Sequence, residues 1–360
     1  MPPIGPKINE EIITKQAITK RPCSRIVEFI SKAKKDCKYS DPQIKDCFET
    51  SSFHTYVLRG EKSTMTTNTP RFSILIINPN TSTQMTDALK PIVENLFYDV
   101  QFNYFTAPST PVTLPDGRVI DGVPSIDSGE DSARSAVHCR LFLEPLLSEY
   151  DAFLVACYSA HPLVGMLKES INKPQEMAGY EEPFRQSGES SRRRKYVTGI
   201  FEASVATSLT LISSFQLFDD RNLKKRQATD MFGIITTGSI WKSELTEAVA
   251  QMLVRPNGNE GNSTSRFAGV ETTGLTAIQL HKTPPEEVRK RMIDATETLL
   301  KTAPSPVSAI CLGCAGMAGM EEAVREGCMK AYQERGRSVC IIDGVVAGVG
   351  LLVNACKANF

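Results

Sequence analysis

Ala152-Phe153-Leu154-Val155-Ala156-Cys157 and, 157 residues further on, Ala309-Ile310-Cys311-Leu312-Gly313-Cys314 are the stretches on which the reading of this chain turns. Each is an apolar run of strand length that stops on a cysteine and passes into small residues, Cys157-Tyr-Ser-Ala160 and Cys314-Ala-Gly-Met317. Uninterrupted apolar runs of this length suit strands of a parallel sheet covered on both faces. Two further pairs recur at nearly the same distance. Ile76-Ile-Asn78-Pro-Asn-Thr81 lies over Ile234-Ile-Thr236-Thr-Gly-Ser239 at 158 residues, and the amphipathic helical patterns Met85–Leu96 and Lys242–Leu253 lie 157 apart. Independent matches at one offset predict two homologous halves. Their equivalent strand ends then face each other across a pseudo-two-fold cleft, the natural ligand site, because parallel sheets bind ligands at the carboxyl ends of their strands.

Working outward, Phe72–Ile77, Val100–Phe105, Ala152–Ala156, Tyr196–Ile200, Phe232–Ile235, Ala309–Leu312 and Val339–Ile342 read as strands, each followed by a helix or a polar loop. This predicts an α/β fold of two pseudo-symmetric parallel-sheet halves, 71–195 and 196–338, with the active site in the cleft between them. A C-terminal strand and helix, 339–360, is expected to pack back on the first half. Residues 1–70 are polar and broken by Pro2, Pro3, Pro6 and Pro22, and read as a flexible extension. Glu10, Glu11 and Glu28 argue against a mitochondrial presequence there. Residues 172–195, with Arg192-Arg-Arg-Lys195, and Pro256–Arg266 read as surface insertions.

Forty-one basic residues balance 41 acidic ones, so no global field draws the chain to nucleic acid or to an anionic membrane. No apolar stretch approaches the roughly 18 residues of a membrane span. The Gly344–Val353 run is a buried helix, too short and too rich in glycine for that task. Ten cysteines scattered through 360 residues, with no apolar signal segment ahead of them, read as reduced thiols and place the protein in the cytoplasm. The expected partner is a small-molecule substrate, with no nucleic acid and no membrane; a homo-oligomer stays open.

Cys157 and Cys314 carry the candidate chemistry. A free cysteine alone more often simply packs, but chance packing has no reason to put one at both symmetric strand ends. A thiol facing free backbone N–H groups at a helix start can have its pKa lowered from about 8.5 into the range of roughly 3.5 to 7.5. One sulfur then removes a proton from one face of a substrate carbon while the other returns one to the opposite face, with no metal and no cofactor. Cys311, three residues before Cys314 in a strand, points to the other face and reads as core. The loops Asn78-Pro-Asn80-Thr-Ser82 and Thr236-Thr237-Gly-Ser239 offer polar groups and helix starts that grip a carboxylate or imide and stabilise developing enolate charge, or that simply cap the helices. His161, just before Pro162, reads as structural.

These motifs resemble the aspartate, glutamate and hydantoin racemase superfamily, and within it the hydantoin and allantoin racemase branch in a fungal-type form. The likeness is carried by Asn78-Pro79-Asn80-Thr81-Ser82, Gly122-Val-Pro124-Ser125-Ile126, Asp151–Cys157, Gly199-Ile-Phe-Glu202-Ala203, Gly233-Ile-Ile-Thr236-Thr237, Leu312-Gly-Cys314-Ala-Gly-Met317-Ala and Ile342-Asp343-Gly344, in order from about 72 to 355. It implies two catalytic cysteines, Cys157 and Cys314, and no cofactor. Around the substrate it implies Asn78, Asn80, Ser125, Tyr158, Ser159, Thr236, Thr237, Ala315 and Gly316. Fungal-type relatives are associated with ureide and allantoin nitrogen metabolism, which makes a five-membered ureide or hydantoin the first substrate expected. Bacterial members tend to follow the first cysteine with Phe-Gly-Asp, where this chain has Tyr158-Ser159-Ala160.

Rival readings fare less well. A structural zinc site needs a second matched pair of ligands beside Cys311-Leu-Gly-Cys314, and the four histidines offer no His-x3-5-His grouping. No Gly-x-Gly-x-x-Gly follows the first strand, which removes a dinucleotide fold. A decarboxylase or isomerase of the same fold needs only one sulfur to reprotonate, and a non-catalytic ureide sensor needs neither.

Overall fold

The computed structural model describes residues 72–173, 193–219, 224–253 and 266–360. The N-terminal extension, most of the insertion at 172–195 and nearly all of the loop at 256–266 lie outside the described residues, together with the expectations attached to them. The first half runs β1 (Ser73–Asn78), α1 (Thr83–Glu94), β2 (Gln101–Thr106), a hairpin of β3 (Val112–Thr113) and β4 (Val119–Ile120), α2 (Gly129–Leu143), β5 (Ala152–Val155), α3 (Pro162–Asn172), β6 (Tyr196–Gly199) and α4 (Ile200–Leu211). A second hairpin, β7 (Phe215–Asp219) and β8 (Lys224–Gln227), leads to β9 (Met231–Thr236), α5 (Ile240–Leu253), β10 (Phe267–Thr272), α6 (Ala277–Lys282), α7 (Pro285–Thr302), β11 (Val307–Gly313), α8 (Glu321–Tyr332), β12 (Cys340–Asp343) and α9 (Gly344–Ala358).

Two four-stranded sheets result, in the orders β2-β1-β5-β6 and β10-β9-β11-β12, with every neighbouring pair parallel. The orders correspond strand for strand. In one sheet Ile77, Val155 and Gly199 form a row across three strands; in the other the row is Ile235, Leu312 and Asp343. Val155 and Leu312 are 157 residues apart, so the sequence repeat is also a spatial one.

The central strands are apolar throughout because both faces are covered. Ile74 and Ile76 point into one core and Leu75 and Ile77 into another, as alternation along a strand dictates. The first of these cores is shared between the halves: Phe232, Ile234, Ala309 and Cys311 of the second sheet enter it too. Between the sheets lie the helices that follow each half's last strand. α4 packs on β11 and β12, α9 packs on β5 and β6, and the two helices pack on each other. Gly348 permits the close approach of α9, since a Cβ there would stand 2.5 Å from Leu154 Cδ1. Among the described residues no helix is long and apolar enough to cross a membrane.

Three readings change. Tyr196–Gly199 does not open the second half; it pairs with β5 and is the fourth strand of the first sheet. β12 does not return to the first half; it pairs with β11, and only α9 crosses over. Strand-end geometry explains both, because each sheet closes on a fourth strand before its helix leaves for the other side. β10 was not expected as a strand. Phe-Ala-Gly-Val-Glu-Thr lies at a sheet edge where only Phe267 and Val270 are buried, and Gly269 at φ +114° shifts the register, so no apolar run marks it.

Candidate active site

Cys157 lies two residues beyond β5 and Cys314 directly after β11, at the carboxyl ends of equivalent strands. Both line one cavity of about 60 Å³. From the first half its wall also takes Asn78, Asn80, Ser125 and Tyr158; from the second, Thr237, Ala315 and Gly316. Nine of the eleven residues expected from the sequence therefore meet here, from loops far apart in the chain.

Two expected residues stand behind the wall instead. Thr236 Oγ1 donates to the Gly313 carbonyl at 2.5 Å, tying β9 to β11 just ahead of Cys314. Ser159 lies 3.5 Å from the Cys157 sulfur through its Oγ and is backed by Ser132 at 3.2 Å. Of the residues in the wall, Asn78 and Asn80 also hold their own loop. Asn78 Nδ2 lies within hydrogen-bond distance of Asn80 Oδ1, the Ser82 carbonyl and Thr86 Oγ1, and Asn80 Oδ1 accepts from Ser82 N–H at 2.9 Å. Ser82 then caps α1. Tyr158 presents its ring rather than its hydroxyl: the OH lies 2.7 Å from Ser204 Oγ, and the ring stands edge-on to Phe201. Ser125 Oγ is buried without a hydrogen-bond partner among the described residues.

Several lining residues were given no role from the sequence. Met85, Leu89, Ile126, Ala277 and Trp241 form an apolar wall. Trp241, the only tryptophan of the chain, is the one that composition alone could have flagged. Among the described residues no Asp, Glu, Lys or Arg lines the cavity. Among the described residues no group of three or more His, Cys, Asp or Glu side chains is placed to hold a metal ion.

The electrostatics reverse one expectation. Burial pushes the Cys157 thiol up to about 12, against a partial lowering by Ser159. Burial likewise pushes Cys314 up to about 11, opposed by the Gly316 N–H, which donates to its sulfur at 3.3 Å. Desolvation of a charged sulfur outweighs the donors nearby. The loops also differ. Cys314 caps a 3₁₀ turn, Ala315–Met317, and so meets its N–H groups. Cys157 does not open a helix: Pro162 at the first position of α3 has no N–H, and the Leu163 N–H goes to His161 Nδ1 at 3.3 Å. His161 is thus a buried cap. Cys311 is fully buried on the opposite face of β11, its sulfur 3.0 Å from Ser208 Oγ.

One residue of a quoted motif was given no role from the sequence. Glu202, the only charged residue of α4, tucks its carboxyl over the end of β6, where a Cβ on Gly199 would stand 2.3 Å from Oε2. Oε2 is buried with no hydrogen-bond partner among the described residues. Burial pushes this carboxyl up, against a partial lowering by the backbone N–H groups of Glu202 and Gly199 and by Lys168. A lone carboxylate in an apolar helix start was the available signal.

Comparison with known proteins agrees with this architecture. A Schizosaccharomyces pombe protein, C1F7.10, is 30% identical over 79% of this chain and 92% of its own length. Protein DCG1 of Saccharomyces cerevisiae is 25% identical over 79% of this chain and 96% of its own. Among solved structures, the allantoin racemase from Klebsiella pneumoniae shares the fold with a TM-score of 0.53 at 21% identity, covering 80% of this chain and 89% of that one. Residues 74–175 and 194–352 match the family described as Asp/Glu/hydantoin racemase, and the chain belongs to that family.

Proposed function

We propose that this protein is a cofactor-independent racemase or epimerase of a hydantoin, allantoin or related amino-acid derivative, with Cys157 and Cys314 as opposing bases. The observation that carries this reading is that both sulfurs line one cavity from the ends of symmetry-equivalent strands. In the proposed step one thiolate takes the proton from the carbon beside a carbonyl. The charge spreads onto that carbonyl oxygen, and the other thiol returns a proton to the opposite face. No net proton is consumed. A thiolate formed in so buried a setting is a stronger base than an ordinary one, which suits a weakly acidic carbon.

The lining supports a ring of low charge over a free amino acid. Among the described residues no cationic side chain is offered to an α-carboxylate, while the Ser125 and Thr237 hydroxyls and an apolar wall with Trp241 suit a small planar ring with carbonyl and N–H edges. The family takes in both classes, and the allantoin racemase of like fold supports the ring. The test is proton NMR of the full chain in deuterated water with pure enantiomers of hydantoins and allantoin, and with aspartate and glutamate. The expected result is loss of the α-proton signal together with loss of optical rotation for a ureide ring. Exchange with aspartate or glutamate alone would overturn the substrate class, and release of carbon dioxide would replace racemisation by decarboxylation.

A further inference from the structure

The two helices between the sheets meet their strands by different chemistry. α9 packs on β5 with Gly348 against Leu154. The row Val155–Gly199 in one sheet and Leu312–Asp343 in the other makes Ser204 of α4 the counterpart of Gly348, and Cys311 of β11 the counterpart of Leu154. On that side the contact is polar. Ser204 Oγ donates to the Phe201 carbonyl and Ser208 Oγ to the Ser204 carbonyl, both at 2.9 Å. With both serine protons so used, the Tyr158 O–H donates to Ser204 Oγ at 2.7 Å and the Cys311 S–H to Ser208 Oγ at 3.0 Å. All four side chains are buried. Burying polar groups costs free energy unless each is paired, and here each is. The other half makes the equivalent packing with a leucine and a glycine, so the fold itself does not call for polar groups at this place.

What these bonds join is the two cysteine-bearing segments. Tyr158 directly follows Cys157, and Cys311 lies in β11 three residues before Cys314. Cys314 is held by its own 3₁₀ turn and the Gly316 N–H. The segment from Cys157 to Ala160 has no helix of its own, and Tyr158 is its anchor, with the ring centroid 5.6 Å from that of Phe201 and the hydroxyl on Ser204. The counterpart of Tyr158 in the second half is Ala315, whose methyl group can make no such bond. We infer that Tyr158 is a positioning residue: its hydroxyl fastens the Cys157 loop to α4, the helix that Ser208 fastens to β11 behind Cys314, so that one helix sets the separation of the two sulfurs. The inference rests on the two-base reading above. Bases on opposite faces of one carbon tolerate little displacement, since a misplacement of about 1 Å can cost about a hundredfold in rate.

The test compares Tyr158→Phe, Ser204→Ala and the double variant with the parent, each as the full chain. Tyr158→Phe keeps the ring and leaves Ser204 its bond to the Phe201 carbonyl, so the core stays satisfied. With pure enantiomers of hydantoins and allantoin in deuterated water, each variant should invert about tenfold more slowly or worse, at a KM within about twofold of the parent. For the enantiomer whose hydrogen faces Cys314, exchange with retention should rise relative to inversion, because Cys314 can return a deuteron to the face it has deprotonated while Cys157 is out of place. A merely destabilised protein loses exchange and inversion together. The double variant should be no slower than the slower single variant, since both remove the same bond. Iodoacetamide gives a readout that needs no substrate: in Tyr158→Phe the Cys157 peptide should be alkylated several-fold faster, as its loop loosens, with the Cys314 peptide within about twofold of the parent. An unchanged Cys157 rate, exchange and inversion that fall together, or effects that multiply in the double variant overturn the inference. A parent that turns over none of the compounds strikes only at the racemase reading, and the alkylation rates then still decide the positioning.

Discussion

Lowering the pH should destabilise this protein through one imidazole. His161 caps α3 with Nδ1 accepting from Leu163 N–H, and Nε2 is buried without a partner among the described residues. Burial holds its pKa at about 3, against 6.5 for a free imidazole. The folded state therefore resists a proton that the unfolded chain binds, so stability is full above about pH 6.5 and is lost as pH falls toward 3. Between pH 7 and pH 4 the loss through this group alone comes to about 3 kcal/mol. That is a large share of the roughly 5–15 kcal/mol that holds a typical domain together. Other groups titrate over the same range, so the comparison to make is with His161→Asn, which keeps a good capping oxygen but cannot titrate there. Denaturant unfolding followed by the fluorescence of the sole tryptophan, Trp241, at pH 7, 6, 5 and 4 measures both proteins. The wild type should lose about 3 kcal/mol more than the variant over that span. A difference between the two that stays level from pH 7 to pH 4 would refute the assignment of His161 as a buried neutral cap.

Replacing Cys157 or Cys314 by serine should abolish inversion, because an alcohol is too weak an acid to serve as the missing partner. Each variant should still exchange the α-proton of one enantiomer with deuterium, and racemisation by either single variant counts against opposing bases. Because burial raises both thiols to about 11 and about 12, kcat/KM should climb steadily from pH 7 to pH 10, close to tenfold per unit while the thiolate is a minor species. A plateau reached by pH 8 would contradict the burial described. Gly348→Ala should destabilise by about 1–3 kcal/mol through overpacking against Leu154, measured as a fall in Tm, and an unchanged Tm would show that α9 can move away.

Much of this was legible before any fold was known, and the reason is local. Strands buried on both faces must be apolar without interruption, so Ile74–Ile77, Ala152–Val155 and Ala309–Leu312 declare themselves. A duplicated half repeats its strand ends at one offset, so Cys157 and Cys314 could be paired by counting. Cys311 could be set aside by alternation alone.

What the tertiary structure decided depends on neighbours that the sequence does not order. Which sheet takes Tyr196–Gly199 and Cys340–Asp343 is settled by strand pairing, and an edge strand such as Phe267–Thr272 is held by backbone bonds that leave little apolar trace. The apolar wall of Met85, Leu89, Ile126 and Trp241 exists only because two halves close on each other. The sign of the thiol shifts was likewise hidden. A sequence shows the helix start that favours a thiolate, but only the packed cleft supplies the desolvation that outweighs it.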